Sequence, residues 1–124
     1  MDRKPETQFA KNGDLSIAYQ VVGDGPIDLV YVPGFMSHVE LNWDYLFSSV
    51  PLDRLAQFSR LVVFDKRGSG LSDRSLGAGT VEDRMDDICV VMDAVGLERA
   101  AVAGVSNGAP LAAMFAAKHP DRVT

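Results

Sequence analysis

A chain of 124 residues, 47% hydrophobic and 23% charged, is long enough for one domain with a real core. Its net charge of −5, with basic residues scattered rather than clustered, argues against partnership with nucleic acid or a membrane surface, and no apolar run is long enough to cross a bilayer. One cysteine, Cys89, excludes an internal disulfide, and with a polar N-terminus it leads to the expectation of a cytoplasmic protein.

No repeat, low-complexity tract or linker divides the chain. Thr7 to Ala10 is a weak strand candidate. It is expected to pair antiparallel with "LSIAYQVV" (Leu15 to Val22) through "KNGD", because Asn-Gly is a hairpin signal. "IDLVYV" (Ile27 to Val32) is almost continuously apolar, as a strand covered on both faces would be. "RLVVFD" (Arg60 to Asp65) and "RAAVAGV" (Arg99 to Val105) read the same way. "SHVELNWDYLFSSV" is helix-like up to Pro51, where a break and a short second helix to Phe58 are expected. A better-defined helix opens on Thr80 and Asp83, a capping-box pattern. It carries Val81, Met85, Ile88, Met92 and Val95 at helical spacing and stops at Gly96. The last helix is expected from about Ser106 to Lys118, kept slim for packing on the sheet by Ala109, Ala112, Ala113, Ala116 and Ala117. Alternating strands and helices predict the α/β class, a mainly parallel sheet with helices on both faces, in one domain over residues 1–124.

Gly104-Val105-Ser106-Asn107-Gly108 matches Gly-x-Ser-x-Gly, a weak pattern until its context is added. A buried strand ends just before it and a helix begins just after it. On so sharp a turn the serine backbone is strained, residues two positions away must lack side chains, and the hydroxyl stands above the sheet. Ser106 is therefore a candidate nucleophile; a plain helix cap, the competing reading, does not explain glycine on both sides. The second element is "YVPGFMSH", which follows Ile27 to Val32. If the two strands are neighbours, the Phe35 and Asn107 N–H groups can converge on one substrate oxygen as an oxyanion hole. Gly34, Met36 and His38 on the same turn are the candidate substrate-binding residues. "GSGLSD" invites a dinucleotide-loop reading, which fails because Asp73 fills the third small position and the next helix begins only near Thr80. No cofactor and no metal are expected.

Taken in order, the hairpin, "LVYVPGF", "LVVFDKRGSGLSD" and "VEDRMDDICVVMDAVGLERAAVAGVSNGAPLAAMFAAKHPDRV" resemble the α/β-hydrolase superfamily. More narrowly they look like hydrolase-like modules fused to adenylate or guanylate cyclases or to transcription regulators. The resemblance implies that Ser106 is the nucleophile and that Asn107 and Phe35 donate to the oxyanion. Pro33 stands where many members have His, a departure that bears on loop anchoring. Asp65, Arg67, Gly68, Gly70 and Ser72 match a motif that shapes a structural loop in relatives.

A serine nucleophile needs a histidine oriented by an acid, and in this superfamily both follow the serine in sequence. His119 lies about a dozen residues along the last helix from Ser106, roughly 20 Å at 1.5 Å per residue, and reads as a solvent-exposed helix end. His38 is either a stand-in base or a hydrogen-bonded loop histidine. Asp65 reads as a solvated or Arg67-paired turn carboxylate rather than the triad acid. Glu40, Asp44, Asp83, Asp86 and Asp87 look like helix-surface charges, and Cys89 looks packed. Trp43, Tyr45 and Phe47 could line a pocket or lie in the core. Ala101 to Val105 would form an exposed apolar sheet edge if nothing followed Thr124, which suggests a truncated domain that a missing C-terminal half or a fused regulatory domain completes. The leading expectation is a serine hydrolase acting on small-molecule esters or related acyl compounds, with its triad acid and histidine outside this chain. The alternative is a non-catalytic ligand-sensing or interaction module of the same fold.

Overall fold

The computed structural model describes residues 5–34, 37–43, 52–73 and 79–124. Strands β1 (Gln8–Asn12), β2 (Leu15–Val22), β3 (Ile27–Val32), β4 (Ser59–Phe64) and β5 (Ala101–Gly104) alternate, from β3 onward, with helices α1 (Leu52–Phe58), α2 (Val81–Val95) and α3 (Gly108–Lys118). The five strands form one sheet in the order β1-β2-β4-β3-β5. β1 and β2 form the expected antiparallel hairpin around Asn12 and Gly13. β2 is also antiparallel to β4, whereas β3 runs parallel to both β4 and β5. The sheet is thus mixed, its parallel part being the three strands that the helices connect.

Strand periodicity divides the core in two. Val30, Val32, Val62 and Phe64 point to one face, where Met85, Ile88, Val91 and Met92 of α2 and Leu111, Ala112 and Phe115 of α3 cover them. Leu29, Tyr31, Leu61 and Val63 point to the other, under Leu52, Leu55 and Ala56 of α1. Each face buries alternate residues because successive side chains of a strand point in opposite directions. Helices on both faces therefore follow from strands whose central residues, Leu29–Val32 and Leu61–Phe64, are apolar at successive positions.

Helix α2 begins at a reciprocal capping box: Thr80 Oγ1 accepts from Asp83 N–H at 3.1 Å, and Asp83 Oδ2 accepts from Thr80 N–H at 3.0 Å. It ends at Gly96 in the left-handed conformation, φ +85°. Helix α3 starts at Gly108 rather than Ser106, because residues 106–107 are used by the turn that reverses the chain. Of its five alanines only Ala112 is buried, Ala116 is half-buried, and Ala109, Ala113 and Ala117 face outward.

Residues 37–43 form a turn and a short 3₁₀ segment, Leu41–Trp43, instead of the start of a regular helix. Two interactions divert the chain there. Val39 N–H donates to Asp65 Oδ2 at 3.0 Å, and Leu41 N–H donates to His38 Nδ1 at 3.3 Å, so neither bond is helical. Trp43 Nε1–H donates to Gln20 at 2.8 Å, Gln20 donates to Thr7 at 2.9 Å, and Thr7 donates to Glu40 at 2.9 Å. This polar chain fastens the segment to the N-terminal hairpin. Asp44, Tyr45 and Phe47 lie outside the described residues.

Beyond β5, Ala100 N–H donates to Arg122 O and Thr124 N–H donates to Ala100 O, both at 3.0 Å, making a parallel bridge between Ala100 and Val123. β5 itself is half-buried at the end of the sheet. No helix among the described residues is long and apolar enough to cross a membrane.

Candidate active site

The parallel pairing of β3 with β5 sets Val32 beside Gly104. Both strands therefore end at the same rim of the sheet, and their following loops meet. After Gly104 the chain turns through Val105, Ser106 and Asn107 into α3. Gly108 N–H donates to Val105 O at 2.8 Å and Ala109 N–H donates to Ser106 O at 3.1 Å. Ser106 has φ +53° and is the one non-glycine residue with positive φ among those described. L-residues avoid this region because Cβ crowds the following carbonyl, at roughly 1–2 kcal/mol. The Ser106 side chain is exposed.

Three glycines allow the turn to be this tight. A methyl group on Gly104 would meet the Gly108 carbonyl and come within 2.8 Å of Ala109 Cα. One on Gly108 would run into the carbonyl oxygens of Val32 and Pro33. One on Gly34 would stand 3.2 Å from Val105 O and 3.3 Å from Ser106 Cβ. The Pro33-Gly34 turn thus lies directly against the serine. Asn107 occupies the position before α3 with φ −65° and ψ −18°, and its side chain makes no capping bond. The strand-to-helix turn is therefore not organised as a side-chain cap.

The structure brings Ser106, Asn107 and Gly34 together. Phe35 and Met36 lie outside the described residues. His38 is half-buried three residues before Leu41, whose N–H it accepts. His119 sits at the opposite end of α3 from Ser106, half-buried rather than solvated, with its ring 5.0 Å from that of Phe115.

Two acidic residues depart from the sequence expectation. Asp65 is fully buried and is neither solvated nor paired with Arg67. Its Oδ1 accepts from Ser37 Oγ at 2.7 Å, and its Oδ2 accepts from Val39 and Leu71 N–H, each at 3.0 Å. Gly70 stands so close that a methyl group there would overlap the carboxylate. Asp87 is not a surface charge. It is 2% exposed and takes a two-pronged bond from Arg67 at 2.7 and 2.8 Å and a third from Asn12 at 2.7 Å. That bond raises the Arg67 guanidinium further above its ordinary value. Burial, and then Arg84, draw the neighbouring Lys66 ammonium down. Ser72 Oγ donates to Asp65 O at 2.6 Å and accepts from Ala18 N–H at 2.9 Å, and Asp73 accepts from Ser16 N–H at 2.9 Å. The loop after β4 is thus bolted to β2, to α2 and to the segment after β3. The signal for Asp65 was present in the sequence: a carboxylate at the end of a strand buried on both faces must find donors in adjacent loops. Which loops those are depends on strand order.

Two surface grooves lie away from Ser106, one along Val22, Gly23, Asp53, Ala56 and Gln57, the other between α2 and α3 beside Met85 and Met114. Among the described residues no group of His, Cys, Asp or Glu is arranged to hold a metal ion.

A family model described as alpha/beta hydrolase fold matches residues 29–124. RutD of Caulobacter sp. (strain K31), named for carbamate hydrolysis, is 46% identical over 65 residues, which is 52% of this chain and 24% of that protein. The dihydrolipoyllysine-residue acetyltransferase component of the acetoin cleaving system from Cupriavidus necator is 33% identical over 116 residues, 94% of this chain and 29% of that protein. Among solved structures, Est816, described as an N-acyl homoserine lactone degrading enzyme, superposes with a TM-score of 0.76 at 28% identity, over 94% of this chain and 42% of its own. The chain spans between 24% and 42% of the length of these three proteins. The match over residues 29–124 runs from β3 through the loop after β4 to the end of the chain, and by it the protein belongs to the alpha/beta hydrolase fold family.

Proposed function

We propose that this chain carries the nucleophilic half of a serine hydrolase acting on carboxylic esters or related acyl compounds. Ser106 Oγ attacks the acyl carbonyl carbon, and the oxygen that becomes negative accepts hydrogen bonds from the N–H groups of Asn107 and Phe35. The first N–H groups of a helix lack intrahelical partners, so that of Asn107, at the head of α3, is available to an anion. Each such donor is worth about 2.7–4 kcal/mol in the transition state. Gly34, Met36 and His38 border the substrate. A histidine oriented by an acid, both from sequence outside these 124 residues, takes the serine proton. It returns that proton to the leaving group, and water then releases the acyl group by the reverse sequence.

The observation that carries this reading is the left-handed backbone of Ser106 at a strand-to-helix turn packed against Gly34. Support for acyl chemistry comes from relatives named for carbamate hydrolysis and for lactone degradation. The test is a fluorophosphonate probe on the complete protein: Ser106 is expected to be labelled and Ser106→Ala to be blank. Equal labelling of both proteins refutes the assignment. The 124 residues alone are expected to turn over p-nitrophenyl acetate no faster than their Ser106→Ala form, because loss of the base in subtilisin lowers kcat on the order of 10⁶-fold.

A further inference from the structure

The three glycines around Ser106 differ in what a side chain there would strike. At Gly104 and Gly108 a Cβ would run into main chain, that of Gly108 and Ala109 in one case and that of Val32 and Pro33 in the other. At Gly34 it would stand 3.2 Å from Val105 O, 3.3 Å from Ser106 Cβ and 3.9 Å from Ser106 Oγ. Relief of those contacts takes a few tenths of an ångström. Gly34 is not among the glycines with positive φ, so its backbone sets no bar to alanine.

The neighbours of Gly34 are unequally able to give way. On its own side, Val32 pairs in register with Gly104, Pro33 has a fixed φ, and the Pro33 carbonyl lies against Gly108. Across from it, the Val105 carbonyl is held by the Gly108 N–H at 2.8 Å. Ser106 is the soft member: its side chain is exposed and its backbone, at φ +53°, sits in a region that L-residues avoid. A methyl group on Gly34 would be accommodated by displacing Ser106, and it would then lie in van der Waals contact with the hydroxyl.

We propose that Gly34 is a positioning residue for the nucleophile: having no side chain, it lets Ser106 stand close against the end of β3, at the place from which Oγ attacks. This inference rests on the proposed serine hydrolase reading. Gly34 acts through the placement of Ser106, so a side chain at position 34 impairs catalysis more than it impairs the fold. The attack is sensitive on this scale. A misplacement of about 1 Å is enough for a roughly 100-fold loss, so a few tenths of an ångström correspond to roughly three- to tenfold.

The experiment compares the complete protein with its Gly34→Ala and Thr80→Ala forms by p-nitrophenyl acetate hydrolysis, rate of fluorophosphonate labelling and thermal unfolding. Gly34→Ala is expected to lower kcat and the labelling rate by roughly three- to tenfold, with KM within about twofold. Its Tm is expected to stay within about 3 °C of wild type, because a less flexible unfolded chain offsets the small overlap. Thr80→Ala, remote from the turn, lowers Tm and leaves kcat unchanged. Gly34→Ala is also made in a Ser106→Gly background and followed by unfolding alone. With the serine Cβ gone, the same substitution is expected to be more favourable by roughly 1–3 °C. If wild-type Ser106 takes no label, the hydrolase reading and this inference fall together. If Ser106 is labelled while Gly34→Ala keeps the kcat of wild type, whether or not KM rises, only the inference is overturned. Failure of Gly34→Ala to fold, or an equal change in Tm in both backgrounds, overturns it as well, since the glycine would then serve the fold and not the serine.

Discussion

Replacing Gly108 by alanine adds one methyl group at the first residue of α3, where an ordinary helix would gain up to about 1 kcal/mol from the better helix former. Backbone strain does not oppose the change, since Gly108 is not among the glycines with positive φ. Space opposes it. The methyl would overlap the carbonyl oxygens of Val32 and Pro33 and stand 2.9 Å from the Pro33 carbonyl carbon. All three atoms are main chain at the end of β3, so no side chain can rotate out of the way. Overpacking costs about 1–3 kcal/mol, and rigid neighbours place this case at the upper end. Net of the helix gain, Gly108→Ala is expected to be about 2 kcal/mol less stable than wild type, a fall in Tm of roughly 6–10 °C for a chain of this size. Urea unfolding and thermal circular dichroism measure both. Gly96 is the comparison: an added Cβ there meets nothing within 4 Å, but φ is +85°. Gly96→Ala should therefore lose about 1 kcal/mol through backbone strain, and Gly96→Asn less than that, because asparagine tolerates the left-handed region. At Gly108 the order reverses, asparagine being worse than alanine because it is larger. A Gly108→Ala protein as stable as wild type would refute the steric account of the elbow.

Ser106→Gly is expected to be more stable than Ser106→Ala by about 1 kcal/mol in urea unfolding, because only glycine is free of the strain at φ +53°; both should be blank to the fluorophosphonate probe. Asp87→Ala leaves Arg67, 12% exposed, without its buried partner, and should lower stability by about 3–5 kcal/mol, while replacing both residues with apolar ones recovers part of that loss. Thr80→Ala should lower stability by about 1 kcal/mol through the lost cap. It should also change the acid limb of the stability–pH curve. Bonds from the Thr80 backbone N–H and side chain hold Asp83 below its ordinary 3.8, so its contribution is complete above that value and disappears as pH falls through the lower, folded one. In the variant this part of the acid loss should shrink, as read from unfolding free energies measured from about pH 5 downward.

The elements that sequence reading located best are those whose cause is local. Leu15–Val22 and Ile27–Val32 are bounded by turns and carry a strand-like apolar pattern, and both ends of each fall where expected. The cap of α2 is written in Thr80, Asp83 and Gly96 and was legible in full. Elements with a distant cause were misread. The stretch after His38 has a helical pattern, yet Asp65, 26 residues from Val39, takes the N–H that a helix would have used. Asp87 looked like a surface charge because only three-dimensional packing brings Arg67 and Asn12 to it. The alanines of α3 suggested a slim buried helix, whereas the direction of α3 across the sheet buries Leu111, Ala112 and Phe115 and leaves most alanines outside. At the site, Ser106 and its flanking glycines were legible because their spacing is a steric signature. The bonds from Ser37 and Val39 to Asp65 were not, since nothing near them in sequence names Asp65.

The glycines around the elbow and the serine within it differ in what they explain. Gly104 and Gly108 each stand where neighbouring main chain leaves no room for a Cβ, and at Gly34 a Cβ would be tight against Val105 and Ser106, so a purely structural crossing of two strand ends and a helix would favour all three whatever the protein does. Position 106 is under the opposite constraint. Its side chain is exposed, its backbone is left-handed, and glycine would fit there without strain. A chain that has glycine at Gly13, Gly23, Gly68, Gly70, Gly79 and Gly96, the other described positions with positive φ, could have used it here and been more stable. It carries a hydroxyl instead, against the gradient of stability, beside the Pro33-Gly34 turn. A structural account covers the glycines and stops at Ser106. The chemistry of a positioned nucleophile accounts for the serine as well, and for that reason the strained residue, rather than the motif around it, carries the functional argument.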